Sequence, residues 1–184
     1  MSAHPKVAVF VGSLRKESLN RKLAGALARL AAPTLALEIV EIGDLPLYNQ
    51  DLDPAPPAPW TRLRETVKTT DAVLFVTPEY NRSVPGVLKN AIDVASRPYG
   101  HNAWNGKPGA VVSASPGAIG AFGANHHLRQ SLVFVNVPTM AQPEAYVGNA
   151  GELFDEHGGF KNEGTREFLT AFVTAFGKWI ERNR

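Results

Sequence analysis

The stretch AVLFVTPEYNRSVPGVLKNAIDVASRP, residues 72–98, joins two patterns of hydrophobicity in one short segment. Its first five residues are apolar and rich in β-branched and aromatic side chains, which is typical of a strand buried on both faces. From Pro85 onward, a position where proline suits a first helical turn, apolar residues recur at helical spacing. These residues are Val87, Leu88, Ala91, Ile92 and Ala95. The stretch therefore predicts a buried strand followed by a helix, the repeating unit of a parallel α/β sheet.

Strand and helix patterns alternate in the same way along the rest of the chain. Four further apolar runs predict strands, at residues 6–12, 35–42, 108–115 and near 139–141. Helical spacing predicts four further helices, at residues 18–32 and 60–71, from Asn125, and at residues 165–182. These elements predict one domain over residues 1–184, with a three-layer α/β fold in which helices cover both faces of a five-stranded parallel sheet. A flavodoxin-like strand order, 2-1-3-4-5, suits the pattern, although other three-layer orders would produce the same alternation.

The composition is that of a globular protein, and its mild positive charge fits an anionic small ligand as well as it fits nucleic acid. With 19 basic and 17 acidic residues, the net charge of +2 is too small to predict nucleic acid as a partner. The chain has no cysteine, which excludes disulfides, thiolate catalysis and thiolate metal sites. No apolar segment is long enough to predict a signal peptide or a membrane span, so we expect a cytoplasmic protein.

One long segment departs from the alternation. Residues 43–60, GDLPLYNQDLDPAPPAPW, are rich in proline and acidic residues. Irregular segments of this length in a compact domain are commonly functional loops or interface arms. A surface excursion stiffened by proline is an equal alternative.

The loop after the first predicted strand, GSLRKESLN at residues 12–20, has the composition of an anion site. Ligands of open parallel sheets bind beyond the carboxyl ends of the strands. Gly12 permits a close approach, Arg15 carries a planar donor group, and a helix N-terminus follows. Ser13, Ser18 and Asn20 add short polar groups. The loop predicts a site for a phosphate monoester; the alternative is a helix capped by Ser18, with Arg15 in solvent.

The loop after the third predicted strand, PEYN at residues 78–81, offers a surface for a flat ring. Pro78 stiffens the turn, Tyr80 can stack on a ring, and Asn81 carries both a donor and an acceptor. For Glu79 the pattern suggests only that it anchors the loop. The alternative is a polar loop whose Tyr80 is packed into the core.

The loop after the fourth predicted strand, SASPGAIGAFG at residues 113–123, contains three glycines and two serines. Such a segment lets the backbone contact a ligand closely and lacks the bulk of a core segment. A phosphate loop, an amide-rich loop and a glycine-rich loop together describe a mononucleotide with a flat ring. FMN satisfies all three.

Five segments also resemble the NADPH-dependent FMN reductase family, in particular its quinone and chromate reductase branch. They are GSLRKESLN, PEYNRSVPGVLKNAIDVASRP, GKPGAVVSAS, PGAIGAFGANHHLRQSL and QPEAYVG. The resemblance runs over nearly the whole chain and implies a flavodoxin-like fold that binds FMN, with the phosphate at the first loop and the ring between the other two. The implied cofactor-binding residues are Ser13, Arg15, Ser18, Leu19, Asn20, Pro78, Glu79, Tyr80, Asn81, Ser115 and Gly117.

The resemblance implies an activity as well. Such an enzyme takes hydride from NADPH or NADH and reduces quinones or similar acceptors by ping-pong two-electron transfer, with chromate, azo and nitro compounds as further candidates. FMN carries the chemistry, so no catalytic side chain is predicted. Tyr80 and Arg82 are expected to form the substrate shelf, and Arg82 stands where that branch often has an aromatic residue. The alternatives are a flavodoxin-type FMN electron carrier without its own substrate, and a phosphate-binding module without flavin.

No metal site is predicted. His126 and His127 are adjacent, so their side chains diverge on a helix, and His101 and His157 are distant in the sequence.

The resemblance finally implies a homodimer or a homotetramer. Arg129, in the apolar fourth helix, and Glu144, after the fifth predicted strand, are charges in apolar surroundings. Such a pair is expected at the subunit contact, where a two-fold axis would use each residue twice. The alternative is an intrachain or solvated pair that contributes little.

Overall fold

A five-stranded parallel sheet forms the centre of the computed structural model, which describes residues 4–156 and 158–184. Its strands are β1 (Lys6–Val11), β2 (Ala36–Val40), β3 (Ala72–Thr77), β4 (Gly109–Ala114) and β5 (Ala145–Val147). They are arranged in the order β2-β1-β3-β4-β5, and every neighbouring pair is parallel. The predicted flavodoxin-like α/β fold and strand order are confirmed.

Helices cover both faces of this sheet. They are α1 (Leu19–Ala31), α2 (Ala58–Thr69), α3 (Gly86–Ala95), α4 (Phe122–Phe134) and α5 (Glu163–Asn183), with single 3-10 turns at Gln50–Leu52 and Ala150–Glu152. Because side chains alternate along β1, Val7 and Val9 pack with α1 and α5, whereas Ala8 and Phe10 pack with α2, α3 and α4. Two hydrophobic cores therefore hold the sheet from opposite sides.

The fifth strand lies further along the chain than predicted. Near the predicted residues 139–141, Thr139 forms only an isolated parallel bridge with Gly109, and the strand itself begins at Ala145. Pro138 and Pro143 flank the predicted segment, and neither has an N–H to donate to a ladder. The chain therefore touches β4 at one point, leaves the sheet, and returns after the second proline.

The proline-rich segment at residues 43–57 is fastened to the helices beside it. Asn90 of α3 accepts a hydrogen bond from the Tyr48 backbone N–H (2.8 Å) and donates to the carbonyls of Leu45 (3.3 Å) and Pro46 (3.1 Å). Further along, Asp53 forms a largely buried ion pair with Arg64 of α2, at 3.2 Å. These contacts give the irregular segment a defined position. In the described part of the chain, no helix combines the length and apolar character needed to cross a membrane.

Candidate active site

Three loops meet where β1, β3 and β4 end. Val11 is paired with Val76, and Thr77 with Ser113, so the strand ends lie side by side. The backbone N–H of Gly12 donates to the Val76 carbonyl at 2.9 Å, and a Cβ on Gly12 would lie 3.1 Å from Pro78 Cδ. The first loop thus lies directly against the second, as the strand order requires.

The first loop contains the N-cap of α1 and an exposed arginine. Ser18 is buried and accepts a hydrogen bond from the Arg21 backbone N–H at 3.1 Å, so it is the N-cap of α1. Its hydroxyl hydrogen is still available to a second acceptor. Ser13 is also buried, whereas Arg15 is exposed and has no hydrogen-bond or ion-pair partner in the described residues. Ser18 therefore caps α1 and Arg15 is exposed, as in the alternative interpretation. The donor groups that an anion would need, on Ser13, Arg15 and Ser18, are nevertheless present in the same loop.

Asn20 joins the first loop to the third. It is buried, and its Nδ2 donates to the carbonyl of Ala114, the last residue of β4, at 3.1 Å. Its Oδ1 is buried and has no hydrogen-bond partner among residues 4–156 and 158–184. Since a buried unpaired acceptor costs about 1–3 kcal/mol, this oxygen indicates a missing donor at the site.

The second loop is a β-hairpin turn with two central residues. Tyr80 and Ser83 exchange two backbone hydrogen bonds, at 3.1 and 3.0 Å, around the central residues Asn81 (φ 51°) and Arg82 (φ 64°). Positive φ at both positions is the type I′ geometry. The Tyr80 residue is 49% exposed, so the alternative in which it packs into the core is wrong.

Glu79 fastens this hairpin to α4. Its Oε2 accepts a hydrogen bond from the Ala124 backbone N–H at 3.0 Å, and α4 has no cap from its own N-cap residue, Ala121. A Cβ on Gly123 would lie 2.9 Å from that Glu79 oxygen, so glycine makes the contact possible. Ser83 Oγ and His127 Nδ1 lie 2.9 Å apart and form a second link.

The third loop is supported by the end of β5. The Ser115 N–H donates to the Val147 carbonyl at 3.1 Å, and the Ser115 carbonyl accepts from the Ala150 N–H at 3.0 Å. Gly120 has a φ of 63°, and a Cβ there would lie 2.7 Å from the carbonyl carbon of Tyr146. This close packing leaves no room for a side chain at Gly120. Gly117, in contrast, is exposed at the open side of the loop.

A buried polar network behind the third loop was missed by the sequence analysis. Ser113 Oγ donates to the Gly120 carbonyl (2.7 Å) and accepts from Asn125 Nδ2 (3.1 Å), while Arg129 Nε donates to Asn125 Oδ1 (2.8 Å). Arg129 Nη1 donates to the Met140 carbonyl (2.9 Å), and its buried Nη2 has no hydrogen-bond partner in the part of the chain that the structure describes. The four-residue spacing of Asn125 and Arg129 on an apolar helix was the available signal.

Arg129 and Glu144 do not form an ion pair within the described residues. Glu144 instead lies beside Tyr146, where burial, followed by the hydrogen bond and charge of Glu144, raises the pKa of the Tyr146 hydroxyl to about 12. The Tyr146 hydroxyl also lies 3.1 Å from His126 Nε2. The two neighbouring histidines therefore contact different partners, as predicted, because His127 faces Ser83.

Residues 4–156 and 158–184 contain no group of three or more acidic or histidine side chains that could hold a metal ion. His157, named in the metal prediction, lies outside the described residues.

An open cavity of about 400 Å³ adjoins the first and second loops. It is lined by Gly12, Leu14, Arg15, Tyr80, Pro85, Gly86 and Val87. A doubly wound sheet with three such loops at its carboxyl edge belongs to the flavodoxin-like class of mononucleotide-binding proteins.

Residues 5–152 match the family model described as NADPH-dependent FMN reductase, and the chain belongs to this family. It is 65% identical over 185 residues to a quinone reductase of Pseudomonas putida, covering 100% of this chain and 99% of that protein. It is 45% identical to a 2-hydroxy-1,4-benzoquinone reductase of a Burkholderia species, covering 97% of this chain and 98% of the relative.

A solved structure shares the fold over the same length. The flavoenzyme NAD(P)H:(acceptor) oxidoreductase FerB of Paracoccus denitrificans is 49% identical, with a TM-score of 0.93, and covers 97% of this chain and 98% of its own. The predictions of the family, of an FMN-dependent oxidoreductase, and of NAD(P)H as hydride donor are confirmed.

Proposed function

We propose that this chain reduces quinones to hydroquinones with NAD(P)H, using FMN held by the three loops at the carboxyl edge of the sheet. The observation that carries the proposal is the meeting of the first and second loops beside an open cavity at the exposed Tyr80. The full-length similarity to proteins named quinone reductase supports quinones as the acceptors. An open mouth with a flat aromatic side chain suits a planar acceptor.

The first loop fits the phosphate of FMN and the ribityl group that carries it. Ser13, Ser18 and Arg15 supply donors beside the N-terminus of α1, which favours a negative charge. Leu19 begins the helix there. We propose a different task for Asn20, because its free atom is an acceptor: Oδ1 suits a ribityl hydroxyl and not a phosphate oxygen. The unpaired buried oxygen is the feature of this structure that FMN would satisfy.

The other two loops border the ring. Pro78, Glu79, Tyr80 and Asn81 form one side, with Glu79 acting through its hold on α4. Ser115 and Gly117 form the other side. When bound, FMN supplies the two-electron chemistry. The protein positions the reactants, and donor and acceptor use the same opening in turn, which predicts ping-pong kinetics.

Reconstitution with FMN, followed by anaerobic titration, tests this function. We expect a yellow protein whose visible absorbance is bleached by NADPH or NADH and restored by 1,4-naphthoquinone, with one hydroquinone formed per reduced nicotinamide consumed. A yellow protein that neither nicotinamide bleaches would instead be a flavodoxin-type carrier. A protein that cannot be reconstituted with FMN would contradict the proposal altogether.

We further propose a cytoplasmic enzyme that is at least a homodimer and that uses α4 at the contact. Arg129 Nη2 is buried without a partner, and the outer side of α4 exposes Phe122 (48%), Val133 (74%) and Phe134 (88%). Glu144 of a second copy would satisfy Arg129, and a two-fold axis would form the pair twice. Light scattering should show a dimer or tetramer at micromolar concentration, and Glu144→Arg should shift it toward monomer. A monomeric parent protein would contradict the assembly.

A further inference from the structure

The central turn of the second loop contains an unfavourable residue at a defined place. Type I′ hairpins prefer Asn-Gly, because both central residues have positive φ. Asn81 matches this preference, whereas Arg82, at φ 64°, occupies the position where glycine is preferred. A non-glycine residue in this conformation is strained, and the conformation persists only where the surroundings hold it there.

The surroundings do hold the backbone of Arg82. Glu79 binds the Ala124 N–H on one side of the turn, and Ser83 contacts His127 on the other. The Arg82 carbonyl itself lies close to α4, 3.1 Å from where a Cβ of Gly123 would be. The conformation is therefore set by the attachment of the hairpin to α4.

The side chain of Arg82 contributes nothing to that attachment. The residue is exposed, and the described part of the chain offers its guanidinium neither a hydrogen bond nor an ion pair. The carboxylate nearest in sequence, Glu79, is directed to the N-terminus of α4. The fold thus holds a strained backbone whose cationic side chain has no structural role.

This unpaired cation belongs to the same hairpin turn as Tyr80, two residues before it. Tyr80 is half exposed and lines the open cavity, whereas Arg82 is exposed and lies outside that lining. Arg15 lines the same cavity from the first loop, where the proposed phosphate site would use it. Arg82 is therefore an unpaired cation of the second loop that the proposed phosphate site does not use.

We propose that Arg82 selects acceptors that carry a negative charge, such as sulfonated quinones or ionised hydroxyquinones. The acceptor ring lies against Tyr80, and Arg82 contacts the anionic substituent. The reaction balances as quinone, NAD(P)H and one proton giving hydroquinone and NAD(P)⁺. This inference rests on the proposed quinone reductase function and adds the substrate class.

The test compares one charged and one neutral acceptor on the FMN-loaded enzyme. The probes are 1,4-naphthoquinone-2-sulfonate and 1,4-naphthoquinone, and the readout is the ratio of their kcat/KM values. In Arg82→Gln we expect this ratio to fall about fivefold, as for an exposed charge pair, because the value for the sulfonate falls more than the value for the neutral quinone. Arg82→Lys should keep most of the ratio. Raising the salt concentration should lower the ratio in the parent and not in Arg82→Gln.

Two controls separate this role from general effects. Arg182→Gln removes an exposed arginine near the end of α5, at the opposite edge of the sheet, and should leave the ratio unchanged. Arg82→Gly should lose the preference while its melting temperature stays at or above that of the parent, because glycine adopts positive φ without strain. Loss of preference without loss of stability is the signature expected of a specificity residue.

The possible failures are distinguishable. If the loaded enzyme reduces neither quinone, the proposed function is wrong and this inference falls with it. If both quinones are reduced and Arg82→Gln leaves the ratio unchanged, only the inference is wrong. If Arg82→Gln slows bleaching by NADPH and not the return of colour with the sulfonate, Arg82 serves the donor, and the inference is also overturned.

Discussion

Replacing Asn20 by alanine should weaken FMN binding far more than it weakens the fold. Asn20 makes one hydrogen bond, from Nδ2 to the Ala114 carbonyl, and leaves Oδ1 buried and unpaired. Losing the bond costs about 0.5–1.5 kcal/mol, whereas removing the unpaired oxygen returns about 1–3 kcal/mol. Because these terms oppose each other, we expect the free energy of unfolding without FMN to fall by no more than about 0.5 kcal/mol and to rise by no more than about 2.5 kcal/mol.

In Asn20→Ala, the Oδ1 acceptor that FMN would contact is absent. If a ribityl hydroxyl satisfies Oδ1 in the parent protein, its loss removes about 1–3 kcal/mol of binding free energy, which is roughly a 5- to 150-fold weaker affinity. Urea unfolding of the cofactor-free protein measures the first quantity, and titration of FMN fluorescence measures the second. The thermal stabilisation produced by a fixed FMN concentration should fall accordingly.

Asn90→Ala is the matched control. Asn90 is also a buried helical asparagine, but both its amide oxygen and its amide nitrogen have partners. Its replacement should lower the free energy of unfolding without FMN and leave the FMN affinity unchanged. The reasoning is refuted if Asn20→Ala binds FMN as tightly as the parent, or if the cofactor-free variant loses more than about 3 kcal/mol.

Substitutions at three further positions, two in the candidate site and one in β5, make separate predictions. Arg15→Ala should weaken FMN binding by about 1.5–3 kcal/mol with the melting temperature of the cofactor-free protein preserved, since the side chain is exposed; an unchanged affinity would place the phosphate elsewhere. Glu79→Ala should lower the free energy of unfolding by about 0.5–2 kcal/mol through the lost cap of α4, and Glu79→Gln, which keeps an acceptor, should lower it less. Tyr146 has a pKa of about 12 in the folded protein and about 10 when unfolded, so its contribution to stability is present below pH 10 and is lost as the pH rises toward 12. Denaturant titrations across that pH range should show that the free energy of unfolding falls less steeply with pH in Tyr146→Phe than in the parent. Identical pH dependence in the two proteins would contradict the raised pKa of Tyr146.

Much of the fold was predictable from local patterns. Residues 72–98 contain the change from a buried strand to a helix within one segment, and repetition of that change predicts a parallel sheet. The three loops were predictable for the same reason, because the carboxyl ends of parallel strands share one edge. The fifth strand was placed wrongly, because an apolar segment between two prolines does not reveal where a ladder can resume.

The contacts of the candidate site residues depend on parts of the chain that are distant in sequence. The sequence shows that Glu79 can accept a hydrogen bond, but only the fold brings the Ala124 N–H, 45 residues away, to its carboxylate. Asn20 carries an amide in any interpretation of the sequence, but only the fold brings the Ala114 carbonyl, 94 residues away, to its Nδ2 and leaves its Oδ1 buried and unpaired among the described residues. Hydrogen-bonding capacity is a property of residue type, but its use depends on which partners the tertiary structure brings within about 3 Å. The sequence by itself therefore determined the class of fold and the loops of the site, and the tertiary structure decided which atoms of those loops remain free for a ligand.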